Sequence, residues 1–150
     1  MAYRTPKTML NALLAALRAW DSWPEPPVFR KGPQQALTLG EQENVAILVA
    51  LDQMVGGEQA AGSHNRWWHE WQIRLDIMVK DILDQADYAE DLRLDTLEEF
   101  LHFVHDNRDL GTAQVWYISS MECGLGAFAE GQQQVFRWVT VRLQYKTLRG

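Results

Sequence analysis

Residues 71–80 read W-Q-I-R-L-D-I-M-V-K. Trp71, Ile73, Leu75, Ile77 and Val79 fall on one side of the alternation; Gln72, Arg74, Asp76 and Lys80 fall on the other, and only Met78 breaks the pattern. Strand side chains point alternately to opposite faces, so this stretch predicts a β-strand with one dry and one wet face. The same residues on a helix would scatter around the circumference. Something apolar must therefore cover the odd-numbered face.

The closing segment, Val135 to Lys146, repeats the pattern: Val139, Val141, Leu143 and Tyr145 share one face, and Trp138, Thr140, Arg142 and Gln144 the other. Val45 to Leu51 is almost wholly apolar and predicts a strand covered on both faces. Gly56 to Asn65 is a loop by composition, and the strands on either side are candidates for a hairpin with a loop longer than most. Ala113 to Met121 is aromatic and β-branched and predicts a further strand. Glu122 to Gln134, with Gly124, Gly126 and Gly131, predicts a flexible hairpin loop. Val28 to Arg30 is a candidate short edge strand.

Covers for the dry face come from two helical patterns. Leu10, Leu13, Leu14, Leu17 and Trp20 repeat at helical spacing within residues 5–20, where Thr5 can cap and Pro6 suits the first turn. Pro24, Pro26 and Pro27 stop that helix. A second helix is expected from about residue 93 to 107, with Leu94, Leu97, Leu101 and Val104 on one face, broadened by Phe100 and Phe103. Asp95 and Glu98 offer a capping box. Residues 81–92 are an acidic, solvated connection. The expected fold is therefore one α+β domain: a mostly antiparallel sheet of about four or five strands, with both helices packed on one face.

Charge and chemistry narrow the function. A net charge of -6 disfavours a generic nucleic-acid coat. Cys123 is the only cysteine, which excludes an internal disulfide and suits reducing cytoplasm. Neither a signal peptide nor a spanning segment is expected. His102 and His105 share a helix face but fall short of a zinc ligand set. His64, His69 and Glu70 lie far from them in sequence, and H-E-W does not continue into H-E-x-x-H. Cys123 sits beside Glu122, which opposes thiolate formation. The glycines near it lack the lysine of a phosphate loop. No enzymatic activity, cofactor or metal is expected.

Surplus tryptophans and separated charge blocks point instead to assembly. The chain has seven tryptophans, and large aromatics surplus to a core favour protein contact. Trp67, Trp68 and Trp138, with Arg74 and Asp76 on the wet face, are candidate interface residues. Arg137 and Arg142 of the basic closing strand are expected to pair with acids of residues 81–99 of this or a neighbouring subunit, with Asp87 and Asp91 as candidates for the contact between subunits.

The N-terminal A-L-L-A-A-L-R-A-W helix, the strand over 68–80 with its preceding loop, the helix L-E-E-F-L-H-F-V, and the strands G-x-A-Q-V-W-Y-I and F-R-W-V-T-V-R-L-Q-Y come in an order and spacing that carries a likeness. Across nearly the whole chain the layout resembles the tail terminator (tube-capping, minor tail) proteins of long-tailed bacteriophages; residues 24–27 and 81–92 fall outside the shared pattern. The resemblance implies a closed homo-oligomeric ring, commonly a hexamer, at the head-proximal end of the virion tail and assembled in the host cytoplasm. Such a ring stops tail-tube polymerisation, and its partners are the tail tube protein and a head or neck completion protein. Genomic DNA passes through the hole without specific binding, and no membrane is involved. Loops 56–66 and 122–134 are then candidates for the tube-facing or neighbour-facing surface. A head-completion or neck protein is the alternative, with a small α+β enzyme or nucleic-acid-binding module behind it.

Overall fold

The computed structural model describes residues 6–32, 38–59, 67–81, 85–108, 110, 113–127 and 134–149. Thr5, His64 and the centres of the connections at 60–66 and 128–133 lie outside the described residues. In chain order the elements are α1 (Pro6–Ala19), β1 (Val28–Lys31), β2 (Val45–Gln59), β3 (Trp67–Asp81), α2 (Ala86–Asp106), β4 (Ala113–Ala127) and β5 (Val135–Arg149).

The alternation of residues 71–80 becomes the centre of β3. Ile73, Leu75, Ile77 and Val79 are fully buried, and β3 pairs antiparallel with β2 on one side and β5 on the other. β4 continues the sheet antiparallel to β5, and β1 adds a parallel edge to β2, so the order is β1-β2-β3-β5-β4. The expected α+β architecture is the observed one: a mixed, mostly antiparallel five-stranded sheet with two helices packed against it.

Both helices cover the odd-numbered face. Met9, Leu13, Leu14 and Leu17 of α1 and Phe100, Phe103 and Val104 of α2 close one core with Ile47, Val49, Ile73, Leu75, Ile77, Val139, Val141 and Leu143. Phe100 and Phe103 stack at 6.0 Å, and Trp20 meets Phe103 edge-on at 5.6 Å. Trp20 also donates its indole N–H to Glu99 at 2.8 Å, which ties the two helices together.

The second helix departs from the sequence expectation. It starts at Ala86, inside the stretch expected to be a connection, and its N-cap, Gln85, makes no side-chain capping bond. Asp95 and Glu98 are therefore mid-helix residues and form no capping box. The acids do not prevent the early start because Asp87, Asp91, Asp95 and Glu98, three or four residues apart, form one exposed stripe. Asp87 lies in the first turn, where negative charge suits the helix dipole.

The buried face is also rotated from the one expected. Ala89, Leu92, Thr96, Phe100, Phe103 and Val104 point inward, whereas Leu94 is 51% and Leu101 37% exposed. Burying two phenylalanines removes more apolar area than burying two leucines, and that difference decides the rotation. Thr96 tolerates burial because its hydroxyl donates to the Leu92 carbonyl at 2.6 Å.

Two expected loops are in part strand. β2 runs through Gly56 and Gly57, which pair with Glu70 and His69. β4 runs through Gly124 and Gly126, which pair with Trp138 and Phe136. The glycines of β4 make room: a Cβ on either would sit 3.0 Å from the Trp138 indole. Their lack of a side chain serves a close ring contact in a regular strand, a use of glycine that composition does not separate from a flexible loop. Met78 breaks the alternation of β3 because the second sheet face has its own small core at that end, formed with Leu39, Ala46, Leu48 and Phe136. The Gln134 amide fastens Leu39 there, donating to its carbonyl at 2.8 Å and accepting from its N–H at 2.9 Å.

Candidate functional site

Beyond the Met78 core, the second face of the sheet is a hydrogen-bonded polar surface. Arg74 Nε donates to the two Asp76 carboxylate oxygens at 3.1 and 3.2 Å, and the Thr140 hydroxyl donates to the same carboxylate. Arg142 reaches Asp52 at 3.3 Å and Glu122 at 3.2 Å, joining β5 to β2 and β4. Farther along, Gln53 donates to Gln72 at 2.9 Å, Gln72 to Ser119 at 3.0 Å, and Ser119 to the Arg142 carbonyl at 3.1 Å. Gln144 donates to Glu70 at 3.0 Å.

These contacts change the standing of several interface candidates. Asp76, expected on a wet face, is only 2% exposed. The physical reason is that Arg74 and Thr140 flank it at hydrogen-bonding distance, so its charge is satisfied inside the subunit. Arg142 is engaged within its own chain by Asp52 and Glu122. Arg137 points to the helical side, where it pairs with Asp81 at 2.9 Å and Glu90 at 3.0 Å. Its hydrogen bonds to Asp81 and then Glu90 hold its pKa above the ordinary arginine value. Glu90, bound by Arg93 as well as Arg137, is held below the usual carboxylate range, the Arg93 hydrogen bond contributing most. Trp138 is half-buried over Gly124 and Gly126. Asp87 and Asp91 are exposed on α2. Trp67 and Trp68 lie in β3 with backbone partners Arg149 and Leu148, and their side chains fall outside the described part of the structure.

The feature that sequence reasoning misses lies at the β4 edge. Leu94, Leu97 and Arg93 of α2, Met121, Glu122 and Cys123 of β4, and Val139 of β5 line an open groove of about 150 Å³. Leu94 at 51%, Met121 at 51% and Leu125 at 58% are among the most exposed large apolar side chains of the described residues. The signal is in the sequence but points elsewhere: the spacing of Leu94 reads as core, and the glycines around Leu125 read as loop. Arg93 closes the groove floor by donating to the Gly124 and Trp138 carbonyls at 2.9 and 3.3 Å.

Among the described residues, no group of three or more His, Cys, Asp or Glu side chains could hold a metal. His102 and His105 are exposed, with Glu99 3.6 Å from His102 and Asp106 3.1 Å from His105. No described helix is long and apolar enough to cross a membrane. No protein-family model matches the chain, and no curated protein matches it.

Proposed function

We propose that this protein is a phage tail terminator, a subunit of a homo-oligomeric ring that caps the tail tube, stops its polymerisation and offers a surface to the head or neck. The reading starts from the resemblance in the order and spacing of elements. The observation that carries it is the polar second face, on which Arg74 and Arg142 are each neutralised by carboxylates of the same chain. Affinity for a polyanion comes largely from cations that displace its counterions. A wall whose arginines are already paired, on a chain of net charge -6, suits a channel through which DNA slides without being gripped. Mechanism in this reading is geometric: ring closure presents one surface to the tube and another to the head, with no bond made or broken.

Negative-stain microscopy of the purified chain, alone and with its tail-tube protein, tests this. Annular particles with a hole wide enough for duplex DNA, or rings seated on tube ends with shortened tubes, are the expected outcome. A chain that stays monomeric at high concentration and leaves tube growth unchanged would contradict it.

A further inference from the structure

A ring requires one patch on a subunit to meet a different patch on the next. Resting on the ring reading above, we infer that the groove between α2 and β4 receives the β1 edge of a second copy of this chain, so that the sheet continues from subunit to subunit.

The two ends of the sheet are complementary in charge, strand direction and apolar content. At one end, β4 pairs with β5 alone among the described residues. Beside it α2 packs on β3 and β5, faces β4 across the groove through Leu94 and Leu97, and carries the exposed acids Asp87, Asp91, Asp95 and Glu98, with Leu94 and Leu101 set among them. At the other end, α1 packs over β2 beside β1. The exposed charges of α1, β1 and the connection between them are Lys7, Arg18, Arg30 and Lys31 against Asp21, with Glu25 half-buried and bound by Asn44 and Glu41 exposed in the segment that leads into β2. One end is therefore acidic and the other predominantly basic. The internal pairing of Arg137 and Arg142 leaves these residues, rather than the closing strand, as the cationic counterpart of the α2 acids.

Direction agrees. β1, β2 and β5 run one way, and β3 and β4 the other. With the strands set along the ring axis, rotating one copy about that axis keeps those directions, so its β1 arrives antiparallel to its neighbour's β4. Height agrees as well: Phe29 pairs with Ile47, Ile47 with Ile77, Ile77 with Val139, and Val139 with Cys123. Phe29 and Cys123 thus stand at the same level on opposite edges. Phe29 and Trp23, in ring contact at 6.3 Å, give the basic edge an apolar surface on the helical side, where the Leu94–Met121 groove also opens. An exposed edge strand invites pairing of this kind.

The test uses the native Cys123 and a Lys31→Cys variant with a short bifunctional maleimide. Strands are about 4.8 Å apart, so the two edges of one sheet stand roughly 19 Å from each other and a short linker cannot join them within a subunit. A ladder of covalent multimers is expected, against nothing beyond a dimer in the wild type. Rings in the microscope with no ladder would overturn this interface while leaving the ring reading intact; monomers with no ladder would overturn both. Charge reversal is the second arm. Asp91→Lys with Asp95→Lys, and separately Arg30→Glu with Lys31→Glu, should each abolish assembly, and an equimolar mixture should restore it because each altered edge then meets an opposite charge. Folded variants, by circular dichroism, whose mixture stays unassembled would refute the pairing.

Discussion

The two faces of this sheet are made by the same strands and stabilised by different physics. On the helical face, Ile73, Leu75 and Ile77 are sealed under α1 and α2. On the other, Arg74 and Asp76 alternate with them and form a network with Thr140. The first face depends on area removed from water, which is non-directional. The second depends on specific partners, and a buried polar group that loses its partner is costly. An apolar face thus tells what will be covered, whereas a polar face hides whether its charges are available to another molecule.

The largest effect should come from the dry face. Phe100→Ala should lower unfolding free energy by about 3–5 kcal/mol, the usual cost of emptying a buried aromatic site, as read from urea denaturation. A much smaller loss would mean that α2 is not seated as described. Next comes the polar face: Asp76→Ala strands Arg74 and Thr140 and should cost about 1–3 kcal/mol, with Asp76→Asn milder. If Asp76→Ala were neutral, the face would be wet in the simple sense that its alternation suggests.

Acid titration sharpens the comparison at its margin. Glu90 has its pKa lowered in the folded protein, chiefly by the Arg93 hydrogen bond. Its contribution to stability is therefore present above the unfolded carboxylate's pKa and is lost as pH falls through the folded one. Glu90→Gln should flatten part of that acid limb, by about 0.5 kcal/mol for a solvent-screened pair; denaturation midpoints across acidic pH that match the wild type would exclude the role. Smallest of all, Leu94→Ser should change the melting free energy by no more than about 0.5 kcal/mol, because Leu94 is exposed in the subunit. A large loss would return it to the core.

Element order, the antiparallel hairpins and the helix-covered face are legible in the sequence because alternation in residues 71–80 and 135–146 and the leucines of α1 report burial directly. Less is legible where one composition serves two geometries. Acids at 81–92 read as a connection, yet Asp87 and Asp91, spaced three or four residues from each other and from Asp95 and Glu98, form one side of a helix. Gly124 and Gly126 read as a turn, yet they admit the Trp138 ring beside a straight strand. The candidate site is legible only as surplus aromatics and charge blocks. Which arginines are already paired depends on register: Arg142 meets Asp52 across 90 residues of sequence, which no local pattern encodes.

Native mass spectrometry on two folded variants tests most directly whether assembly uses the sheet's edges rather than its polar face. Arg142→Gln alters the face, and Leu94→Glu with Leu125→Glu alters the β4 edge. The face variant is predicted to keep the mass of the proposed ring, and the edge variant to run as a monomer. Loss of the ring in the face variant, with assembly retained in the edge variant, would contradict the account.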